Sequence, residues 1–154
     1  MDIRELGIAD INEIKQLFFD IFTTEPWNDD WSDNNQLHEY ITDLIGNRNS
    51  LSFGMYEGDE LIGISLGSIM HWCTGTEYYI FEFCIKPEHQ GKGIGTAFLE
   101  GIEKHVKSKR ITHIFLQTER IVPAFDFYKK NGFTELQDHV SLCKFFDGGA
   151  QENK

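Results

Sequence analysis

Cysteine, basic residues and long apolar runs are all scarce in this chain, and each shortage closes off an explanation. Three cysteines (Cys73, Cys84 and Cys143) in 154 residues are too few and too scattered for a disulfide framework or a zinc knuckle. The six histidines show no H-x-x-x-H spacing, so no metal is expected. Nothing approaches the roughly 20 apolar residues of a membrane helix. The charged opening MDIRELGIADINEI lacks the apolar core of a secretory leader. These shortages predict a cytoplasmic protein with no membrane partner. The 14 Lys and Arg stand against 25 Asp and Glu, a formal charge of −11. Such a balance argues against nucleic-acid binding, which needs a basic face.

What is present is the composition of a globular protein, 40% hydrophobic and 25% charged, with length enough for one core. Residues 1–146 are expected to form a single domain and 147–154 a frayed tail. Asp2 to Leu6 predicts a short edge strand. Asp10 is expected to cap a helix with the stripe Ile11, Ile14, Leu17, Phe18, Ile21 and Phe22, and Leu37, Tyr40, Ile41, Leu44 and Ile45 mark a second helix. LSFGMYEGDELIGISLGSI reads as a hairpin about Gly58-Asp59. EYYIFEFCI, rich in aromatic and β-branched residues, reads as a buried strand. A helix carrying Ile94, Phe98, Ile102 and Val106 follows, then the strand ITHIFLQT. A helix opening at Pro123 and closing at Asn131-Gly132 comes next. FTELQDHVSLCKFF predicts one or two final strands. The fold class is therefore mixed α/β.

The run HQGKGIGTAF, from His89 to Phe98, carries the chemistry. Neither G-x-x-x-x-G-K-[S/T] nor G-x-G-x-x-G fits its spacing, since Thr96 stands where the third glycine of the dinucleotide pattern belongs. What fits is Q-x-x-G-x-G: Gln90, Gly93 and Gly95 on a strand-to-helix turn, with Gly91 and Lys92 between. Consecutive amides at a helix N-terminus, unobstructed by side chains, favour a diphosphate. A turn that only lets helix and strand pack is the alternative.

This run resembles the pyrophosphate loop of the GNAT superfamily of acyl-CoA-dependent N-acetyltransferases. FCIKPEHQGKGIG is similar to the family's central strand leading into its loop, and PAFDFYKKNGF to its last helix, so the likeness spans Glu77 to Phe133. The resemblance implies a twisted mixed sheet of six to seven strands with about four helices, and acetyl-CoA as co-substrate. It gives backbone groups of Phe83, Cys84 and Ile85 to the pantetheine arm. The diphosphate goes to Gln90, Gly91, Lys92, Gly93, Ile94, Gly95 and Thr96. Ile121 departs from the pattern, because many relatives carry Asn there; Thr118 or Glu119 is left to fill part of that gap. Homodimers are frequent in the family, though nothing in the sequence fixes an interface.

Acyl transfer to an amine needs a base, a polarised thioester and a proton for the departing thiolate. Glu82 is the candidate base, an ionisable residue inside the apolar strand YYIFEFCI, where a carboxylate is costly unless solvated or paired. Regular alternation places it with Ile80 and Cys84, opposite Phe81 and Phe83; a salt-bridged structural glutamate is the alternative. Glu119 is a second candidate base or a substrate contact. Tyr128 matches the family tyrosine beside the sulfur and is the candidate acid, with simple packing as its alternative. Cys84 has no histidine adjacent in sequence, which disfavours an acyl-enzyme.

The segment EPWNDDWSD offers Trp27, Asp29, Asp30 and Trp31 to a cationic amine, by ion pairing and cation–π contact; the indoles could instead pin the loop to the core. Lys and Arg are absent between Lys15 and Arg48. The expected acceptor is therefore a small amine, an aminoglycoside or polyamine. Protein or peptide amines, or a non-catalytic CoA-binding regulator, are the alternatives.

Overall fold

A computed structural model describes residues 1–146; the expected tail from 147 onward lies outside the described residues. They fall into two compact units, Met1–Thr118 and a second that opens at Glu119. In the first unit come β1 (Asp2–Leu6), α1 (Ile11–Phe22), α2 (Asn34–Ile45), β2 (Ser50–Glu57), β3 (Glu60–Trp72), β4 (Gly75–Ile85), α3 (Ile94–Ser108) and β5 (His113–Leu116). Helix α4 (Pro123–Lys130) belongs to the second.

Local chemistry sets these boundaries. The stripe Ile14, Leu17, Phe18, Ile21 and Phe22 is the buried face of α1. Asp10 occupies its N-cap position, but the carboxylate accepts from the Gly7 amide at 2.8 Å rather than from the helix. Asp33 caps α2 directly, with Oδ1 accepting from the amides of Asn35 and Gln36 at 3.0 and 3.1 Å. That satisfies two of the donors a helix start leaves over. Gly58, at φ 61°, makes the β2–β3 hairpin turn.

The sheet runs β1-β2-β3-β4-β5. All neighbours are antiparallel except β4 and β5, which are parallel. On one face α1 and α2 share a core with Leu6, Tyr56, Leu61, Ile64, Leu66 and Cys84. Against the other lies α3: Phe98 meets Phe83 of β4 with centroids 5.4 Å apart, and His105 meets Phe53 of β2 at 5.0 Å. Phe53, Tyr78 and Phe98 are completely buried, each contributing roughly 1.5–3 kcal/mol by removal from water.

Five strands are present among the described residues, and the final strands expected over 133–146 are not. Gln137, Asp138 and His139 interrupt the apolar spacing there. Val140, Leu142 and Phe146 stay exposed, with no ladder over this stretch among the described residues.

Candidate active site

Strand β4 is irregular where it matters. Leu66 of β3 pairs with Glu82, but the next residue, Gly67, pairs with Ile80, so Phe81 is an extra residue bulged out of the ladder. A bulge reverses side-chain parity. Tyr78, before it, meets Phe53 on the α3 face, whereas Cys84, after it, lies in the α1–α2 core. The expected alternation through Glu82 is thereby corrected. Glu82 and Cys84 share the α1–α2 face, Phe83 packs against α3, and Ile80 keeps step with Tyr78 instead.

Turned this way, Glu82 reaches α2. The Tyr40 hydroxyl donates to Glu82 Oε1 at 2.5 Å. Burial first, then the Glu82 carboxylate, pushes the Tyr40 phenol well above its ordinary range. The phenol is therefore the proton-bearing partner. Tyr40 stacks on Trp31 at 5.3 Å and 19°, and Phe18 stands 5.9 Å from it. The sequence stripe had marked Tyr40 as core alone; its link to Glu82 spans 42 residues and leaves no local signal. Burial, reinforced by Glu82, also pushes the Cys84 thiol far up.

Beside the bulge, the sheet opens. The parallel ladder of β4 with β5 ends at Ile80–Leu116, while the ladder with β3 continues to Ile85–Gly63. The run from Phe81 to Ile85 extends past the end of β5, as a strand does where an extended ligand arm is to be accommodated.

Next comes the glycine turn. Gly91 and Gly93 adopt φ of 71° and 78°, conformations that favour glycine. A Cβ on either would meet nothing within 4 Å, so the turn has open space beside it. Gly93 is the N-cap of α3 and offers no side-chain oxygen to the first-turn amides of Ile94, Gly95 and Thr96. Those amides and the helix dipole fit a diphosphate. Two neighbours are otherwise engaged. Gln90 Nε2 donates to the Ile85 carbonyl at 2.8 Å, tying the loop back to β4, and Lys92 Nζ donates to the Glu88 carbonyl at 2.9 Å.

In the acidic connection the indoles do pin the loop. Trp27 packs on Phe22 at 5.5 Å and Trp31 edge-on to Phe18 at 5.3 Å, both half-buried against the core. Asp29 and Asp30 are exposed. Asp30 accepts from the Ser32 amide at 3.0 Å, and hydrogen bonds from Ser32 hold its pKa low.

In the second unit Glu119 is exposed in the loop before α4, and Ile121 is 91% exposed. Tyr128 is buried on α4, edge-on to Phe127 and Phe133 at 5.4 Å from each. Among the described residues no group of His, Cys, Asp and Glu could hold a metal, and no helix is long and apolar enough to cross a membrane.

Comparison with known proteins points one way. The model of the acetyltransferase (GNAT) family matches residues 11–133. The streptothricin acetyltransferase of Escherichia coli is 31% identical over 130 residues, covering 75% of this chain and 72% of that protein. The uncharacterized protein YxbD of Bacillus subtilis (strain 168) is 32% identical over 90 residues, 54% of this chain and 57% of its own. Two solved structures have similar folds. An aminoglycoside acetyltransferase, meta-AAC0020, from an uncultured soil metagenomic sample, in complex with sisomicin, gives a TM-score of 0.73 at 16% identity, covering 95% of this chain and 96% of its own. A possible acetyltransferase from Clostridium difficile 630 gives 0.79 at 16% identity, covering 95% and 98%.

Proposed function

Because the chain belongs to the GNAT acetyltransferase family, we propose that it moves an acetyl group from acetyl-CoA directly to a primary amine of a small cationic acceptor, of the streptothricin or aminoglycoside kind. One observation carries the reading: the β4–β5 ladder stops at Ile80–Leu116, just where the bulge turns Glu82 to the face of Tyr40. The end of a strand ladder and a half-buried carboxylate thus fall within a few residues of each other. The streptothricin acetyltransferase, 31% identical, supports the acceptor class.

When bound, acetyl-CoA supplies the electrophilic thioester carbonyl. The chain's own residues do the rest. Amides of Gly91, Gly93, Ile94, Gly95 and Thr96 hold the diphosphate, and the backbone of Phe83, Cys84 and Ile85 lies along the pantetheine arm. An alkyl ammonium has a pKa of roughly 10, so it must lose a proton before it attacks; Glu82 takes that proton, directly or through one water. Tyr128 carries, by family resemblance, the proton for the departing sulfur, and Glu119 is an acceptor contact. Asp29 and Asp30 draw the cation in, while Trp27 and Trp31 hold the connection that presents them.

The test is thiol release from acetyl-CoA against streptothricin, aminoglycosides, polyamines and peptides. Turnover confined to small polyamines and antibiotics supports the reading. Preference for a protein or peptide amine would replace the acceptor, and no release with any amine would favour a CoA-binding regulator.

A further inference from the structure

One side chain outside the set the sequence nominated touches the candidate base. Tyr40 gives Glu82 Oε1 a 2.5 Å hydrogen bond, and its ring is held in an aromatic cluster. Trp31, from the acidic connection, stacks on the ring at 5.3 Å, and Phe18, from α1, packs at 5.9 Å and 60°. The cluster holds the phenol oxygen within reach of the Glu82 carboxylate.

We propose that Tyr40 is a positioning residue for acetyl transfer: packed in one aromatic cluster with Trp31 and Phe18, it anchors Oε1 and so orients the Glu82 carboxylate that meets the acceptor amine. The inference rests on the reading of Glu82 as base and adds a second duty. Donation to a carboxylate favours its charged form. Leu66, opposite Glu82 on β3, has nothing to titrate. Of the ionisable groups around the pair, Asp29 acts on Tyr40 and Cys84 neighbours Glu82 on β4. Tyr40 and Cys84 are both pushed upward, burial being the first cause, and stay neutral at working pH. Tyr40 is thus a neutral donor that favours the charged form of the half-buried Glu82.

Tyr40→Phe keeps the ring and its stacking while removing the donor. Glu82 then binds its proton more tightly. A base works only when deprotonated, so the acid limb of kcat/KM is expected to move to higher pH by about one unit, the size of a lost charge-assisted bond. The KM for acetyl-CoA stays near its original value. In the free enzyme, carbon-13 NMR of side-chain-labelled glutamate, with Glu82→Gln to assign the signal, should show the same upward move of the Glu82 midpoint. A folded Tyr40→Phe protein with neither midpoint nor limb displaced, beside an inactive Glu82→Gln, overturns the role of Tyr40 alone. A fully active Glu82→Gln overturns the base, and the positioning role with it.

Discussion

Gly67 of β3 makes room for Tyr78 of β4: a Cβ on Gly67 would lie 2.6 Å from Tyr78 Cε2 and 2.4 Å from the Tyr79 carbonyl oxygen. The glycine adjoins the bulge at Phe81, so the irregularity that aims Glu82 is backed by a close approach of backbones. Gly67→Ala should cost about 1–3 kcal/mol, the range for overpacking a tight interior. Gly58→Ala has open space but φ of 61° and should cost about 1 kcal/mol from strain alone. Denaturant unfolding of both variants checks the order. Equal losses would mean that β3 and β4 shift apart easily.

Glu82→Gln should lower kcat/KM for the acceptor by about 10²–10⁴-fold, the range for a lost general base. Coenzyme A should bind as before. Steady-state rates beside calorimetric titration separate the two quantities. A tenfold weaker coenzyme A affinity would recast Glu82 as part of the nucleotide site.

Gly93→Val places a branched side chain at φ 78° on the N-cap of α3. The KM for acetyl-CoA is expected to rise at least about tenfold, through strain and lost amide access, with the acceptor's KM little affected. Initial-rate kinetics with each substrate varied will tell. The reverse pattern would remove the diphosphate from this turn.

Burial drives the Cys84 thiol well above its ordinary range, so near neutrality it is almost wholly protonated and a poor nucleophile. Iodoacetamide should label Cys73 and Cys143, which are exposed, and leave Cys84 untouched in the folded protein. Peptide mapping by mass spectrometry reads this out. Trapped acetyl on Cys84 after mixing with acetyl-CoA would reinstate a covalent intermediate.

Tyr128→Phe should reduce turnover about tenfold or more if its hydroxyl supplies a proton, with acetyl-CoA still bound. Undiminished turnover assigns Tyr128 to packing against Phe127 and Phe133.

Much of the fold was legible because it depends on near neighbours. The α1 stripe, the turn at Gly58 and Pro123 at a helix start each act within a few residues. The bulge was not legible. Its cause is shared between Phe81 and Gly67 on a different strand, and alternation read along β4 passes straight through it. Tyr40 escaped for the same reason, since an amphipathic stripe records that a ring is inward and not what its hydroxyl finds. Gln90 stood in a recognisable motif, yet its amide is tied to the Ile85 carbonyl. The spacing of glycines marks where a loop bends, while the hydrogen-bond partners of its side chains depend on the strand behind it. The final strands over 133–146 were expected from composition, and composition supplies no ladder partner.

The odd residue in β4 has a consequence for anyone redesigning the acceptor wall. Side chains from Gly75 to Ile80 obey one inward–outward rhythm, and those from Glu82 onward obey its opposite. A segment of unchanged length that paired Phe81 with Leu66, closing the bulge, would therefore deliver its carboxylate into the greasy layer beneath α3.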